Sequence, residues 1–220
     1  MGIITALEPQ RRTGRTNIFI DGEFALGVQT PVVEDRKLGV GQEITEEEIK
    51  AVTRDEARRR AINNAVRMLE SRSRSRAEII NRLNERGYEP DVVDAVLAQL
   101  ERAGLIDDHA FAKEWVEARS RAREPIGRVR LKHELKLKGI SPELLETALD
   151  GVDVNLELDQ AMRAARRHTK PYGDIKGWIA ERQRLIGYLQ RRGYGWETTN
   201  ATIRQVLIKP VDAGEELDEG

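Results

Sequence analysis

The chain has 220 residues, of which 39% are hydrophobic and only 5% aromatic, a composition that suits several thin helical units better than one large core. It contains no cysteine, which excludes disulfides and thiolate metal sites, and no apolar run approaches the length of a membrane span. Since the N-terminus also lacks a signal-peptide pattern, we expect a cytoplasmic protein without a membrane partner.

The net charge of −1 conceals a segregation of charge along the chain. Residues 211–220 carry five acids and no base, which leaves 37 bases against 33 acids in the rest. Three segments are strongly basic, with eight bases against three acids in 54–76, eight against two in 119–138 and nine against two in 163–192. Solvated helix faces normally mix both signs, so this recurring excess of one sign predicts a surface that faces a polyanion or an acidic protein.

The first segment, residues 1–44, is predicted to form a small β element and a linker. Asn17–Ile20 and Glu23–Leu26 flank Asp21-Gly22, which is the strongest short-range signal for a hairpin. Gly2–Leu7 is predicted to be a third strand. Three short strands with so few large apolar residues are marginal alone, so we expect them to pack against a neighbouring helix.

Residues 45–106 are predicted to hold the first three-helix repeat together with a leading helix. Thr45 opens a capping box, and the helix that follows carries small and aliphatic residues along one stripe. Ser75 is predicted to cap a second helix. Pro90 suits the first position of a third helix, which is expected to end before Gly104.

The same pattern continues in residues 107–152, the second repeat, whose last helix is predicted to begin at Ser141-Pro142. Residues 153–208 form the third and most divergent repeat, in which helical periodicity is interrupted at Pro171–Gly173. The remaining residues, 209–220, form an acidic tail that is predicted to be disordered.

One short phrase occurs three times, at Leu83–Tyr88, Leu135–Ile140 and Leu189–Tyr194. Each copy begins with Leu, continues with three residues that are mostly polar or charged, and ends with Gly and a large apolar residue. This pattern is typical of a helix that ends at a Gly in the left-handed conformation. The glycines lie 52 and 54 residues apart. This period predicts a mainly α fold of three tandem three-helix repeats in an elongated arrangement, preceded by the small three-strand element.

Enzyme motifs are missing from the sequence. There is no phosphate-binding or dinucleotide-binding glycine loop, and the three histidines, His109, His133 and His168, form no ligand pair. The cluster Asp107-Asp108-His109 with Glu114 can be interpreted as a divalent-cation site or as a helix N-cap. Adjacent side chains on a helix point in different directions, which favours the cap. We therefore expect no catalysis, no metal and no cofactor.

Nine basic residues at the helix junctions are the candidates for contact with an acidic or phosphate-bearing partner. They are Arg72, Arg74, Arg76, Arg119, Arg121, Arg123, Arg128, Arg130 and Lys132. A guanidinium in such a loop can bind phosphate or carboxylate through paired hydrogen bonds. The alternative is that these side chains neutralise acids of the same chain or solvate a turn. Because both repeats place them at matching junctions, a binding role is favoured.

The aromatic residues give a less regular pattern. Trp115 falls on an apolar stripe with Phe111 and is predicted to belong to the core. Trp178 and Trp196 lie near basic residues without a shared spacing, and Trp178 fits either a core or a binding role.

Three motifs in order resemble the RecX family, whose members regulate the RecA recombinase. They are Leu69-x-x-Arg72-x-x-Ser75-x-x-Glu78-Ile79-x-x-x-Leu83-x-x-x-Gly87, Gly104-Leu105-Ile106-Asp107-Asp108-x-x-Phe111-Ala112-x-x-Trp115, and Gly127-Arg128-x-Arg130-Leu131-x-x-Glu134-Leu135-x-x-Lys138-Gly139-Ile140. The resemblance spans about residues 15–208. The third repeat follows the family pattern least closely, and the acidic tail lies outside it.

The resemblance implies a cytoplasmic, non-enzymatic regulator whose partner is the RecA filament on single-stranded DNA. We expect the chain to be a monomer. A member of this family is expected to lie in the filament groove and to inhibit ATP hydrolysis, strand exchange and the co-protease activity of the SOS response. The alternative is a basic helical-repeat protein that binds DNA directly. A pI near 6.4 and the acidic tail argue against strong DNA binding by the chain alone, whereas the local basic patches allow weak direct contact.

Overall fold

The structure is a computed structural model that describes residues 1–11 and 13–210. Of the acidic tail predicted at residues 209–220, residues 211–220 therefore lie outside the described residues. The chain divides into two compact units, Met1–Asp107 and Asp108–Gly220, and each is described by itself.

The first unit begins with an antiparallel sheet in the strand order β3-β2-β1-β4. Its elements are β1 (Gly2–Pro9), β2 (Arg15–Ile20), β3 (Glu23–Gln29), α1 (Thr30–Asp35) and β4 (Glu43–Ile44). The turn between β2 and β3 has positive φ at both central residues, 51° at Asp21 and 85° at Gly22, as the Asp-Gly signal predicts. The three predicted strands are confirmed, and the short α1 and β4 are additions to them.

Three helices follow in the first unit, namely α2 (Glu46–Ser71), α3 (Arg76–Asn84) and α4 (Pro90–Arg102). Thr45 forms the predicted capping box with Glu48, and the predicted cap at Ser75 is also a capping box, with Glu78 as the reciprocal partner. The core between these helices is aliphatic and is supplied by one face of each. Its fully buried members include Ala61, Ala65, Ile79, Leu83, Val96 and Leu97.

The sheet is fastened to the side of α2 by one buried carboxylate. Glu56 is only 7% exposed, and its Oε2 accepts the backbone N–H of Gln29 at 2.7 Å. Its Oε1 accepts a hydrogen bond from Arg15 of β2 at 2.8 Å. The predicted packing of the strands against a neighbouring helix is therefore made by a charge-assisted link as well as by apolar contacts.

The second unit contains six helices within its described residues. They are α5 (Asp108–Ser120), α6 (Arg128–Leu137), α7 (Pro142–Asp150), α8 (Val154–His168), α9 (Ile175–Arg191) and α10 (Trp196–Val206). The first three surround a core that includes Phe111, Leu131 and Leu135. The last three surround a second core that includes Leu185 and Leu189.

The recurring phrase ends a helix in each copy, as predicted. Gly87, Gly139 and Gly193 all have positive φ, at 76°, 73° and 83°. In each copy the N–H of the apolar residue after Gly donates to the carbonyl of the Leu five positions earlier, at 3.3, 3.2 and 3.1 Å. This is the hydrogen bond of a Schellman motif, and it satisfies a carbonyl that the helix leaves open.

Candidate functional site

At the first junction, between α2 and α3, the candidate arginines bind groups of their own chain. Arg72 donates from both terminal nitrogens to Glu78, at 3.1 and 3.0 Å, and this hydrogen bonding raises the pKa of Arg72. Arg74 donates from Nε to the carbonyl of Met68 at 3.1 Å. Arg76 pairs with Glu101 on α4 at 2.8 Å. These contacts stabilise the junction, which agrees with the structural alternative considered for these residues.

At the second junction, the carboxylate of Glu134 on α6 accepts hydrogen bonds from several of the residues considered in the sequence analysis. It accepts from Arg119 at 3.0 Å, from Arg130 at 3.3 Å and from Nε1 of Trp115 at 3.1 Å. The guanidinium of Arg119 also lies 4.6 Å from the centre of the Trp115 ring. Trp115 is stacked on Phe111 at 5.8 Å and half-buried, so its ring packs on the core as predicted while its polar edge faces the charged cluster.

The remaining residues of α6 face the end of α7. Arg128 donates to the carbonyl of Leu149 at 3.1 Å and to Asp150 at 3.2 Å, and Lys132 pairs with Glu146. Ion pairs of this exposed kind contribute about 0–1 kcal/mol each, so a partner's carboxylate or phosphate can replace the internal acid at little cost. Arg128 and Lys132 thus each have partners within the chain, and their side chains remain accessible to a binding partner.

The loop between α5 and α6 places two predicted arginines beside a cavity. The cavity has a volume of about 550 Å³, and its walls include Arg121 and Arg123 of the loop and Arg163 and Arg167 of α8. Three acids, Glu117, Asp153 and Glu157, also line it. Arg121 pairs with Glu117 at 3.3 Å. Within residues 1–11 and 13–210, Arg123 and Arg163 have no carboxylate within ion-pair distance. We call these four arginines the loop–α8 cluster.

Arg163 and Arg167 are absent from the nine residues selected by sequence. Both belong to the third basic segment, but only the tertiary contact between this loop and α8 brings them next to Arg121 and Arg123. The signal available in the sequence was the charge excess of residues 163–192, which does not by itself assign a neighbour.

The cluster is held by a close contact between the second and third repeats, which we call the glycine interlock. The N–H of Gly127 donates to the carbonyl of Arg192, and that of Val129 donates to the carbonyl of Gly193, each at 3.0 Å. The N–H of Arg128 donates to the buried carboxylate of Glu157 at 2.8 Å. Helix α6 therefore begins on hydrogen-bond acceptors supplied by the third repeat.

Side chains near the interlock reinforce it. Arg192 donates to Glu124 at 2.7 Å and to the carbonyl of Pro125 at 2.8 Å, and its hydrogen bond lowers the pKa of Glu124. The hydroxyl of Tyr194 donates to the same carbonyl at 3.3 Å. Burial of that side chain raises the pKa of Tyr194 to about 12, so it remains a neutral donor at physiological pH.

Neither a metal site nor a membrane span is found in the part of the chain that the structure describes. No group of three or more His, Asp or Glu side chains there is arranged to hold a metal ion. None of the described helices combines the length and the hydropathy that crossing a bilayer requires.

Four family models match consecutive parts of the chain. They are the RecX regulatory protein N-terminal domain at residues 2–45 and the first, second and third three-helix domains of RecX at 61–100, 107–149 and 155–203. The regulatory protein RecX of Chlorobaculum tepidum is 31% identical over 158 residues, which cover 72% of this chain and 95% of that relative. The RecX of Lacticaseibacillus paracasei is 29% identical over 210 residues, covering 96% and 87%.

Solved structures show the same fold. A crystal structure of regulatory protein RecX covers 93% of this chain and 100% of its own, with a TM-score of 0.73 and 24% identity. The crystal structure of RecX from Lactobacillus salivarius covers 68% of this chain and 96% of its own, with a TM-score of 0.60 and 19% identity. At these identities the likeness concerns the fold alone.

Proposed function

Since this chain belongs to the RecX family of regulatory proteins, we propose that it binds the RecA filament on single-stranded DNA and restrains its ATP hydrolysis, strand exchange and co-protease activity. The observation that carries the proposal at residue level is the loop–α8 cluster. It combines Arg123 and Arg163, which form no ion pair with any residue that the structure describes, with two other arginines around one cavity. Such a group suits carboxylates on a protein surface or phosphates of DNA.

The repeated construction supports a mechanical form of inhibition. A filament offers one equivalent site per protomer, and linked binding modules gain avidity when they engage several sites at once. A ligand that bridges protomers and prefers one filament state opposes the motions that turnover requires. This mechanism needs no catalytic group in the regulator, and the relatives carry the name of regulatory proteins.

The functional test measures RecA's DNA-stimulated ATP hydrolysis with substoichiometric amounts of this protein, beside its binding to bare single-stranded DNA. We expect inhibition that weakens as salt rises, because exposed charges carry the contact. An absence of any effect on RecA, together with tight binding to bare DNA, would contradict the proposal and favour direct DNA binding.

A double reversal, Arg123→Glu with Arg163→Glu, tests the cluster without breaking an internal ion pair of the described residues. Lys50→Glu with Lys113→Glu is the matched control, since it changes the net charge equally and both lysines are exposed and lie outside the three basic segments. We expect the double variant to keep its helical content by circular dichroism and to inhibit RecA at least tenfold less well. Equal inhibition by the double variant and the control would exclude the cluster as the contact.

A further inference from the structure

A second cationic groove lies in the third repeat and has a different composition. It has a volume of about 610 Å³, and its walls include Trp178 and Arg182 of α9 with Trp196, Asn200 and Arg204 of α10. Lys209, after α10, completes it. We call it the α9–α10 groove.

The spacing of these residues gives the groove two ordered walls. Trp196, Asn200 and Arg204 follow one another at intervals of four, so they share one face of α10. On α9, the pair formed by Trp178 and Arg182 has the same interval. Each wall therefore presents an indole ring followed, one or two turns later, by a guanidinium.

The segment that carries Lys209 is held in place beside the groove. The hydroxyl of Tyr172 donates to the carbonyl of Ile208 at 3.0 Å and lies 3.1 Å from its N–H. Both polar backbone groups of the residue before Lys209 are thereby fixed to one side chain. The cationic end of the groove is thus preorganised.

Two features of the tryptophans are unexplained by packing. Trp196 is 60% exposed, although an indole is usually mostly buried. The Nε1 of Trp178 is buried and has no acceptor among the described residues, which costs about 1–3 kcal/mol for a buried donor. Both observations concern rings that line the same groove.

The cations of the groove are also without partners among the residues that the structure describes. Arg182, Arg204 and Lys209 have no ion pair or hydrogen-bond acceptor for their side chains within residues 1–11 and 13–210. The junction cations behave differently, since Arg72, Arg76, Arg119, Arg128, Arg130 and Lys132 all bind an acid of this chain. An anionic ligand is therefore expected at this groove more than at those junctions.

We propose that the α9–α10 groove binds single-stranded nucleic acid, with a base stacked on Trp196 and phosphates held by Arg182, Arg204 and Lys209. Exposed aromatic rings beside cations are how proteins bind single strands, and stacking contributes about 1–3 kcal/mol per base. A duplex keeps its base faces inside the helix, and an acidic peptide generally offers no such face. The inference is independent of the proposed action on RecA, because it needs only the groove and the oligonucleotide.

The test uses the full chain and a dye-labelled oligothymidylate of about ten nucleotides, with binding followed by anisotropy. Trp196→Ala is expected to weaken binding about tenfold or more, as 1.4 kcal/mol corresponds to a factor of ten. Trp196→Phe keeps a ring and is expected to retain most of the affinity. Phe24→Ala is the matched control, because Phe24 is an aromatic residue with the same 60% exposure in the first unit.

Salt dependence tests the phosphate contacts separately. Three cations on a single strand predict a slope of log K against log salt of about −2, and Arg204→Ala is expected to reduce its magnitude by about 0.7. Unlabelled duplex or inorganic polyphosphate should compete poorly with the oligonucleotide. Undetectable binding, unchanged binding in Trp196→Ala with an unaltered thermal melt, or equal competition by polyphosphate would each overturn the inference.

Discussion

The glycine interlock predicts that two glycines in different repeats act as one structural unit. A Cβ on Gly127 would lie 2.3 Å from the carbonyl oxygen of Gly193, and one on Gly193 would lie 2.2 Å from the Cβ of Arg130. Carbon atoms in contact are normally about 3.5–4.0 Å apart. Alanine at either position therefore has to separate α6 from the turn after α9 by more than an ångström.

The cost follows from the hydrogen bonds that this separation removes. Two neutral backbone bonds contribute about 1 kcal/mol each, and the bond from the Arg128 N–H to the Glu157 carboxylate contributes about 1.5–3 kcal/mol. Gly127→Ala is thus expected to lower the free energy of unfolding by about 4 kcal/mol. Gly193→Ala adds left-handed backbone strain of about 1–2 kcal/mol, partly offset by the lower entropy of its unfolded chain.

Gly87→Ala separates the backbone strain from the contact. Gly87 has a φ of 76°, close to the 83° of Gly193, but a Cβ there meets nothing within 4 Å. It is expected to cost only about 1 kcal/mol. The double variant Gly127→Ala with Gly193→Ala should cost far less than the sum of the two single variants, because the interlock can be broken only once.

Urea unfolding measures these free energies, and tryptophan fluorescence reports the second unit because Trp115, Trp178 and Trp196 all lie after Asp107. Far-UV circular dichroism follows Gly87→Ala, which lies in the first unit. Hydrogen exchange at the amide of Val129 gives a local measurement of the same contact. Additive costs in the double variant, or a cost of Gly193→Ala no greater than that of Gly87→Ala, would refute the reasoning.

Three further substitutions test the buried polar contacts. Hydrogen bonding from Arg184 lowers the pKa of Glu181, so this carboxylate stabilises the fold above its unfolded pKa of about 4.3 and loses that contribution as pH falls through the lower folded value. Glu181→Gln should therefore lower the free energy of unfolding by about 2 kcal/mol at pH 7, and this difference should shrink as the pH is lowered below the unfolded pKa, measured by urea unfolding. Ser75→Ala removes the cap of α3 and should cost about 1 kcal/mol in the same assay, whereas a stability unchanged within error would contradict the capping role. Glu56→Ala should accelerate hydrogen exchange at the Gln29 amide about tenfold or more, and unchanged protection there would show that the sheet is held without this carboxylate.

The elements most predictable from the sequence are those set by local chemistry. The Asp21-Gly22 turn, the capping boxes at Thr45 and Ser75, and the glycine phrase depend on a few adjacent residues, and the structure has each of them. The short strand β4 was not predictable in this way. It has two residues and is defined by pairing with β1, far away in sequence.

The candidate site was less predictable because a run of charge does not identify its partner. Glu134 accepts hydrogen bonds from Arg119, Arg130 and Trp115. Arg130 is only 4 positions away on the same helix. Arg119 and Trp115 are 15 and 19 positions away, so only tertiary folding brings them to Glu134. Arg163 was missed for the same reason, since its neighbours come from a loop about forty residues earlier. Charge excess in the sequence locates basic segments, whereas internal pairing decides which of their members are free to bind.

This distinction changes how charge reversal should be interpreted in a protein of this kind. Reversal at Arg72 breaks two hydrogen bonds to the capping residue Glu78, so a loss of inhibition there can result from a disturbed α2–α3 junction rather than from a lost contact. Reversal at Arg123 or Arg163 breaks no ion pair among the described residues. If inhibition of RecA falls only on reversal of Arg72, the basic junctions act by stabilising the structure of the repeats. If it falls on reversal of Arg123 or Arg163 with stability unchanged, these two arginines themselves make the contact.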